Sequence, residues 1–263
     1  MNPDIPEPAS QPQGENLLPP ASTHTSFWSA HRRRPAFLLI LVIGLVLFFN
    51  WMSSDMRASL WMALNAQRGL VILLFVFALV TLSLIWSAGQ KLDMLVFTFL
   101  NSQRYPSWLD RFMWLATQLG NMLTAFIIAV LFFLLRYRRL AVEIVFGTLT
   151  LWLLVEIIKA LSDRDRPFLT IETARVIGVQ EKGDSFPSGH TTQTFFLMTL
   201  FVYRFQPALE IAIALYAIAA LVGLTRIYVG AHYPRDVIAG VVLGSVWGIL
   251  AILVDPYLVF LHL

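Results

Sequence analysis

Apolar residues run almost unbroken through seven stretches of this chain, at about 36–51, 70–86, 113–135, 140–158, 190–203, 208–224 and 237–254. An α-helix needs roughly 20 such residues to cross the hydrocarbon core of a bilayer. Several runs end in Trp or Tyr, side chains that settle at the membrane interface. The pattern predicts an all-α fold: a polytopic transmembrane bundle of about seven spans, the first run being short for a span. Between the second and third runs, Leu92 to Gly120 alternates apolar and polar residues at helical spacing, with Pro106 and Asp110 as punctuation. An amphipathic helix on the membrane surface is expected there.

Residues 1 to about 30 are rich in Pro, Ser, Gln and Asn and lack apolar periodicity, so a disordered tail is expected. Arg32-Arg33-Arg34 before an apolar run resembles a signal peptide, but the run starts late and lacks a small-residue cleavage site; a retained span is the expectation. Three regions follow: a basic-ended tail at 1–34, a transmembrane hairpin at 35–88, and a core at 89–263 that carries the amphipathic helix and the polar loops. Gly240, Gly244 and Gly248 recur every four residues, a face that lets two helices approach closely.

Composition sharpens this picture. Hydrophobic residues make up 57% and charged residues 13%, against about 25% charged in soluble domains. The formal charge of +3 sits in short loops between apolar runs, which points to anionic lipid headgroups and away from nucleic acid. Cysteine is absent, so a thiolate nucleophile and a cysteine metal site are excluded.

Three polar islands interrupt the apolar chain, and ionisable groups at membrane boundaries are costly enough to suggest function. The first is Lys159, six residues, Arg166-Pro167, at the end of the fourth run. The second is Phe186-Pro187-Ser188-Gly189-His190, just before the fifth. The third is Thr225-Arg226, five residues, His232, three residues, Asp236, between the sixth and seventh. Counting crossings puts all three on one membrane face. A phosphoryl group in transfer spreads negative charge over its oxygens, so its catalyst should surround them with fixed cations and donors. Lys159, Arg166 and Arg226 suit that task, as do Ser188 and the Gly189 amide at a predicted helix start. Two histidines divide into nucleophile and acid. Asp236, four residues after His232, can hold one ring nitrogen as N–H and free the other for attack. His190 can then protonate the leaving oxygen. Arg164 is expected to be exposed or paired with a carboxylate, and Glu156 to pair with Lys159 or another cation.

These three signatures, in order and with intact spacing, resemble those of the type 2 phosphatidic acid phosphatase superfamily, which also includes vanadium haloperoxidases. The resemblance covers roughly residues 89–254 and implies a six-helix phosphatase-like core, beside which the chain has an extra N-terminal span. It implies that Lys159, Arg166, Ser188, Gly189 and Arg226 bind phosphate, that His190 is the acid, His232 the nucleophile and Asp236 its orienting partner, and that no metal or other cofactor is needed. Thr225 stands where the family usually has Ser, which keeps the hydroxyl. The implied substrate is a lipid phosphate or pyrophosphate, with polyprenyl pyrophosphate favoured over phosphatidate-type lipids. Transfer of the phosphate to another lipid and non-catalytic lipid binding or transport are the competing functions. Arg136, Arg138, Arg139 and Arg204 fall in connections that the positive-inside rule places in the cytoplasm, which puts the islands on the outer face of a bacterial inner membrane. Seven crossings then leave Arg32-Arg33-Arg34 outside too, against the same rule.

Overall fold

The computed structural model describes residues 43–44, 46–47, 50–51, 53–84 and 87–254; the expected tail at 1–34 and most of the first apolar run lie outside them. Among the described residues every regular element is helical. The helices are α1 (Ser54–Ala66), α2 (Arg68–Ser83), α3 (Ser87–Asn101), α4 (Ser107–Thr117), a 3-10 turn (Gln118–Gly120), α5 (Met122–Leu134), α6 (Arg138–Ser162), α7 (Pro167–Thr170), α8 (Gly189–Phe205), α9 (Leu209–Tyr228) and α10 (Pro234–Val254).

Three helices among the described residues, α6, α9 and α10, are long and apolar enough to cross a membrane. The count rises to five if each of two bent pairs is one span: α2 with α3, bent by 94°, and α4 through the 3-10 turn with α5, bent by 59°. The chain is therefore an integral membrane protein. The fifth apolar run, expected to span, forms α8, whose 17 residues lie at the short end of the roughly 17–25 a span uses. The single amphipathic helix expected from Leu92 to Gly120 is instead two, α3 and α4. Pro106 begins the second with extended φ/ψ of −59° and 144°, because a residue before or at such a Pro resists helical continuation.

α8 lies at the centre, with α10 packed along its length and α9, α6 and α5 around it. The seam between α8 and α10 explains the four-residue glycine spacing. A Cβ on Gly240 would lie 2.9 Å from the Ser188 carbonyl oxygen, on Gly244 2.3 Å from that of Thr192, and on Gly248 2.7 Å from Thr199 Cβ. Only a hydrogen fits at these crossings. Ile144, Leu151 and Val155 of α6 and Phe196, Leu197 and Leu200 of α8 fill the main core. Polar side chains on α8 also find partners inside: Gln193 Nε2 donates to Thr148 Oγ1 at 2.9 Å. Outward, Leu123, Ile127, Val130 and Leu134 of α5 and Trp152 and Leu153 of α6 are more than half exposed, an apolar surface that water would not tolerate and acyl chains would. α2 packs against α10 as well, with Phe77 reaching the main core.

α6 ends on Asp163, which adopts the left-handed conformation (φ 47°) and donates its N–H to the Lys159 carbonyl. That reversal lays Arg164 to Arg166 back across the bundle end. The C-terminal ends of α6 and α9 and the N-terminal ends of α8 and α10 thereby meet on one side.

Candidate functional site

The structure gathers Arg166, Ser188, Gly189, His190, Arg226, His232 and Asp236 at this meeting point. Arg166 is 1% exposed. Its Nε donates to the Gly183 carbonyl at 2.9 Å, and its Nη1 to the Ala231 carbonyl at 3.2 Å and toward His232 Nε2 at 3.4 Å. Arg226, at the end of α9, is 3% exposed and donates from Nη1 to Thr117 Oγ1 at 2.7 Å. Its Nε is buried without a hydrogen-bond partner among the described residues, a donor held in reserve inside the cluster. Ser188 caps the start of α8 and its N–H donates to the Asp236 carbonyl at 3.0 Å. Above Gly189 the space is open: a Cβ there would meet nothing nearer than Val155 Cγ1 at 3.9 Å. The first turn of α8, with its unpaired amides and helix dipole, thus begins beside open space.

His232 is 1% exposed, and its tautomer follows from its neighbours. Nδ1 lies 2.7 Å from the Ser185 carbonyl oxygen, which can only accept; Nε2 faces Arg166, which can only donate. Nδ1 therefore carries the proton and Nε2 presents a lone pair. Burial first, then the charges of Arg166 and Arg226, pushes the imidazole pKa well below its ordinary value, which favours the neutral ring.

The expected Asp236–His232 bond is not direct. Asp236 Oδ2 is 3.8 Å from His232 Nδ1, beyond hydrogen-bond reach. The carboxylate instead accepts from the Tyr233 N–H at 2.8 Å, from the Ser185 hydroxyl and from Arg164 Nη1. It fixes the loop whose carbonyl orients His232. The four-residue spacing brought the two groups close, but burial in α10 turned the carboxylate toward stronger donors. Arg164 is the carboxylate-paired residue of the two expectations for it: it also bonds Asp93 and stacks over the Tyr233 ring at 4.5 Å. Lys159 makes no direct contact with the cluster. Its Nζ pairs with Glu156 at 2.8 Å, as the spacing suggested, and its charge reaches His190 and His232 through space. Thr225 spends its hydroxyl on the Val222 carbonyl at 2.6 Å.

Four contributors escaped the sequence reading: Asp93, Thr117, Ser185 and Glu181. Glu181 lies in the loop before α8, and its carboxylate sits among the cations. Oε2 is 2.9 Å from Arg166 Nη1 and 3.8 Å from His232 Nε2; Oε1 bonds Arg226 Nη2 and lies 3.7 Å from His190 Nδ1. Burial pushes this carboxyl up, but the charges led by Arg226 outweigh it and hold the pKa below the usual range. No signature marks Glu181, since its place depends on the path of an irregular loop.

The model of the PAP2 superfamily matches residues 140–260. Over 71 residues, 27% of this chain and 28% of the relative, the sequence is 41% identical to a lipid A 1-phosphatase of Rhizobium johnstonii. Over 122 residues, 44% of this chain and 56% of the relative, it is 30% identical to an undecaprenyl-diphosphatase of Sulfolobus acidocaldarius. The chain thus spans little more than half, or less, of these curated relatives. Among solved structures, the PAP2-type phosphatidylglycerolphosphate phosphatase of Bacillus subtilis superposes with a TM-score of 0.60 at 27% identity, covering 72% of this chain and 96% of that one.

Proposed function

We propose that this chain, which belongs to the PAP2 superfamily through residues 140–260, is a membrane lipid phosphatase working through a phosphohistidine. The observation that carries this reading is the neutral His232, its Nδ1 pinned by the Ser185 carbonyl and its Nε2 facing the buried guanidinium of Arg166. Nε2 attacks phosphorus, forming the P–N bond as the bond to the leaving oxygen breaks, and His190 gives that oxygen its proton. Water then attacks the phosphohistidine with His190 as base, releasing phosphate and restoring both rings. Arg166, Arg226 and the first amides of α8 hold the equatorial oxygens, while Lys159 adds positive field. Asp236 acts through Ser185, as a positioning residue.

Polyprenyl pyrophosphate is the favoured substrate, in keeping with the undecaprenyl-diphosphatase relative; phosphatidate-type lipids and lipid A phosphates are the alternatives. The test is phosphate release by the detergent-purified chain across these lipids, with chelator present. Release from at least one of them is expected, and the fastest names the substrate. Release that stops with chelator would overturn the metal-free mechanism, and a phosphorylated lipid product without free phosphate would make the chain a transferase.

The site opens away from the cytoplasm in this reading, because Arg136, Arg138, Arg139 and Arg204 line one surface pocket together, between the α5–α6 connection and the end of α8, where the positive-inside rule applies. In this cysteine-free chain, a Lys182→Cys variant is expected to react with an impermeant thiol reagent in intact cells. Labelling only after lysis would reverse the orientation.

A further inference from the structure

Among the described residues Glu181 is the one carboxylate that touches both arginines and approaches both histidines of the site, and its two oxygens occupy the guanidinium groups that the phosphatase reading assigns to phosphate. The segment that carries it is pinned at both flanks. Before it, the Arg175 N–H donates to Asn101 Oδ1 at 2.7 Å and Asn101 Nδ2 returns to the Arg175 carbonyl at 2.8 Å, while the Ile177 N–H donates to the Val229 carbonyl at 3.1 Å. After it, the Ser185 N–H donates to the Arg164 carbonyl at 2.7 Å. Between the pins, Gly178 (φ 87°) and Gly183 (φ 80°) supply the left-handed turns that other residues rarely adopt. Val179 is 85% exposed. What draws the tip inward is the cluster itself: the Glu181 carboxylate on Arg166 and Arg226, and the Lys182 and Gly183 carbonyls on Arg166. Beside it lies a cavity of about 350 Å³, with Trp114, Phe168 and Ile177 on its walls and His190, Arg226 and Glu181 among its lining.

We propose that Glu181 is a specificity-determining residue, an internal anion that only a terminal phosphate can displace. The inference rests on the phosphatase reading. A membrane presents phosphodiester headgroups in great excess over phosphomonoesters and pyrophosphates. A diester resembles a carboxylate, with one negative charge shared by two free oxygens. A terminal phosphate carries about −1.5 to −2 charge at pH 7 and three acceptor oxygens, so it can bond Arg166, Arg226 including its spare Nε, and the α8 amides together. Against Glu181, tethered and already in place, the diester has no advantage and the terminal phosphate does. The carboxylate then swings out on the glycine-flanked tip, and the displaced charge faces water at the mouth.

The experiment compares wild type and Glu181→Gln as full chains in detergent, titrating each with inorganic phosphate and with short-chain phosphatidylglycerol, a diester, and reading apparent affinity from the rise in melting temperature. Wild type is expected to bind phosphate and ignore the diester. Glu181→Gln should bind phosphate about tenfold more tightly, the worth of one charge-assisted hydrogen bond, and should now bind the diester measurably. Unchanged or weaker phosphate binding, or continued exclusion of the diester, would overturn the proposal. Glu181→Ala, expected to behave alike, serves if the Gln variant does not fold. Because the readout is binding, a chain that shows these shifts but hydrolyses no lipid would refute the phosphatase reading alone.

Discussion

His232→Ala is expected to slow phosphate release by about 10³-fold or more, the scale seen when a nucleophile is removed from a site whose members act as a unit. The fold should survive. His232 contributes few internal bonds, and its loss leaves the Ser185 carbonyl beside a space large enough for water. The sharper measurement is chemical. Acid-labile label from a ³²P-phosphorylated lipid should appear on the wild-type chain after rapid quenching and be absent from the variant. Equal labelling of both would remove His232 from the nucleophile's role, and loss of folded protein in the variant would be visible as a broadened elution profile. Full activity in the variant would refute the mechanism outright.

Arg164→Ala is expected to destabilise the folded chain by about 3–5 kcal/mol, since removing one partner of a buried pair leaves the other charge uncompensated. Here two carboxylates lose their shared cation. Asp236 is fully buried and Asp93 nearly so, and Arg164 bridges them while stacking on Tyr233. Asp93 keeps Arg235, whose Nε lies 2.7 Å away; Asp236 keeps only neutral donors. The melting temperature in detergent checks this. Arg164→Lys should recover part of the loss through its single charge without the two-pronged bridge. A melting temperature unchanged in the alanine variant would show that Asp236 is neutral or solvated in the folded chain.

These two residues also mark what the amino-acid order reveals. His232, His190, Arg166 and Arg226 were legible because each stands at fixed spacing beside the end of an apolar run, and such ends must lie at a membrane surface. The helix ends do the rest, since they bring short local motifs together without any need to trace the loops. The close-packing face of α10 was legible for a similar reason, since small residues every fourth position declare a face; that α8 meets it was not. Arg164, Asp93 and Glu181 were not legible as a set. Each depends on a partner about 70 residues away, or on a loop whose course is set by positive-φ glycines and backbone hydrogen bonds, and neither leaves a periodic trace. The direct Asp236–His232 bond failed for the same reason. Spacing gives proximity along α10, but competition among donors, settled by the Ser185 hydroxyl and Arg164, decides where a carboxylate points. Pro106 was read as punctuation, and it stands at the start of the second of two helices where one was expected.

The brevity of α8 has a consequence for depth. At 17 residues and 1.5 Å per residue it is about 26 Å long, against a hydrocarbon thickness of about 30 Å. If Arg204, in its last turn, is anchored among headgroups at one surface, its first residue lies a few ångströms beneath the other. His190, in the first turn of α8, then sits below the plane in which lipid phosphates ordinarily rest. In the phosphatase reading a lipid reaches it by sinking slightly while its tails stay among their neighbours, and a bilayer drawn thinner around the protein costs fractions of a kcal/mol per ångström. Turnover should accordingly depend on acyl-chain length in the surrounding membrane, rising in thinner bilayers where less sinking is required.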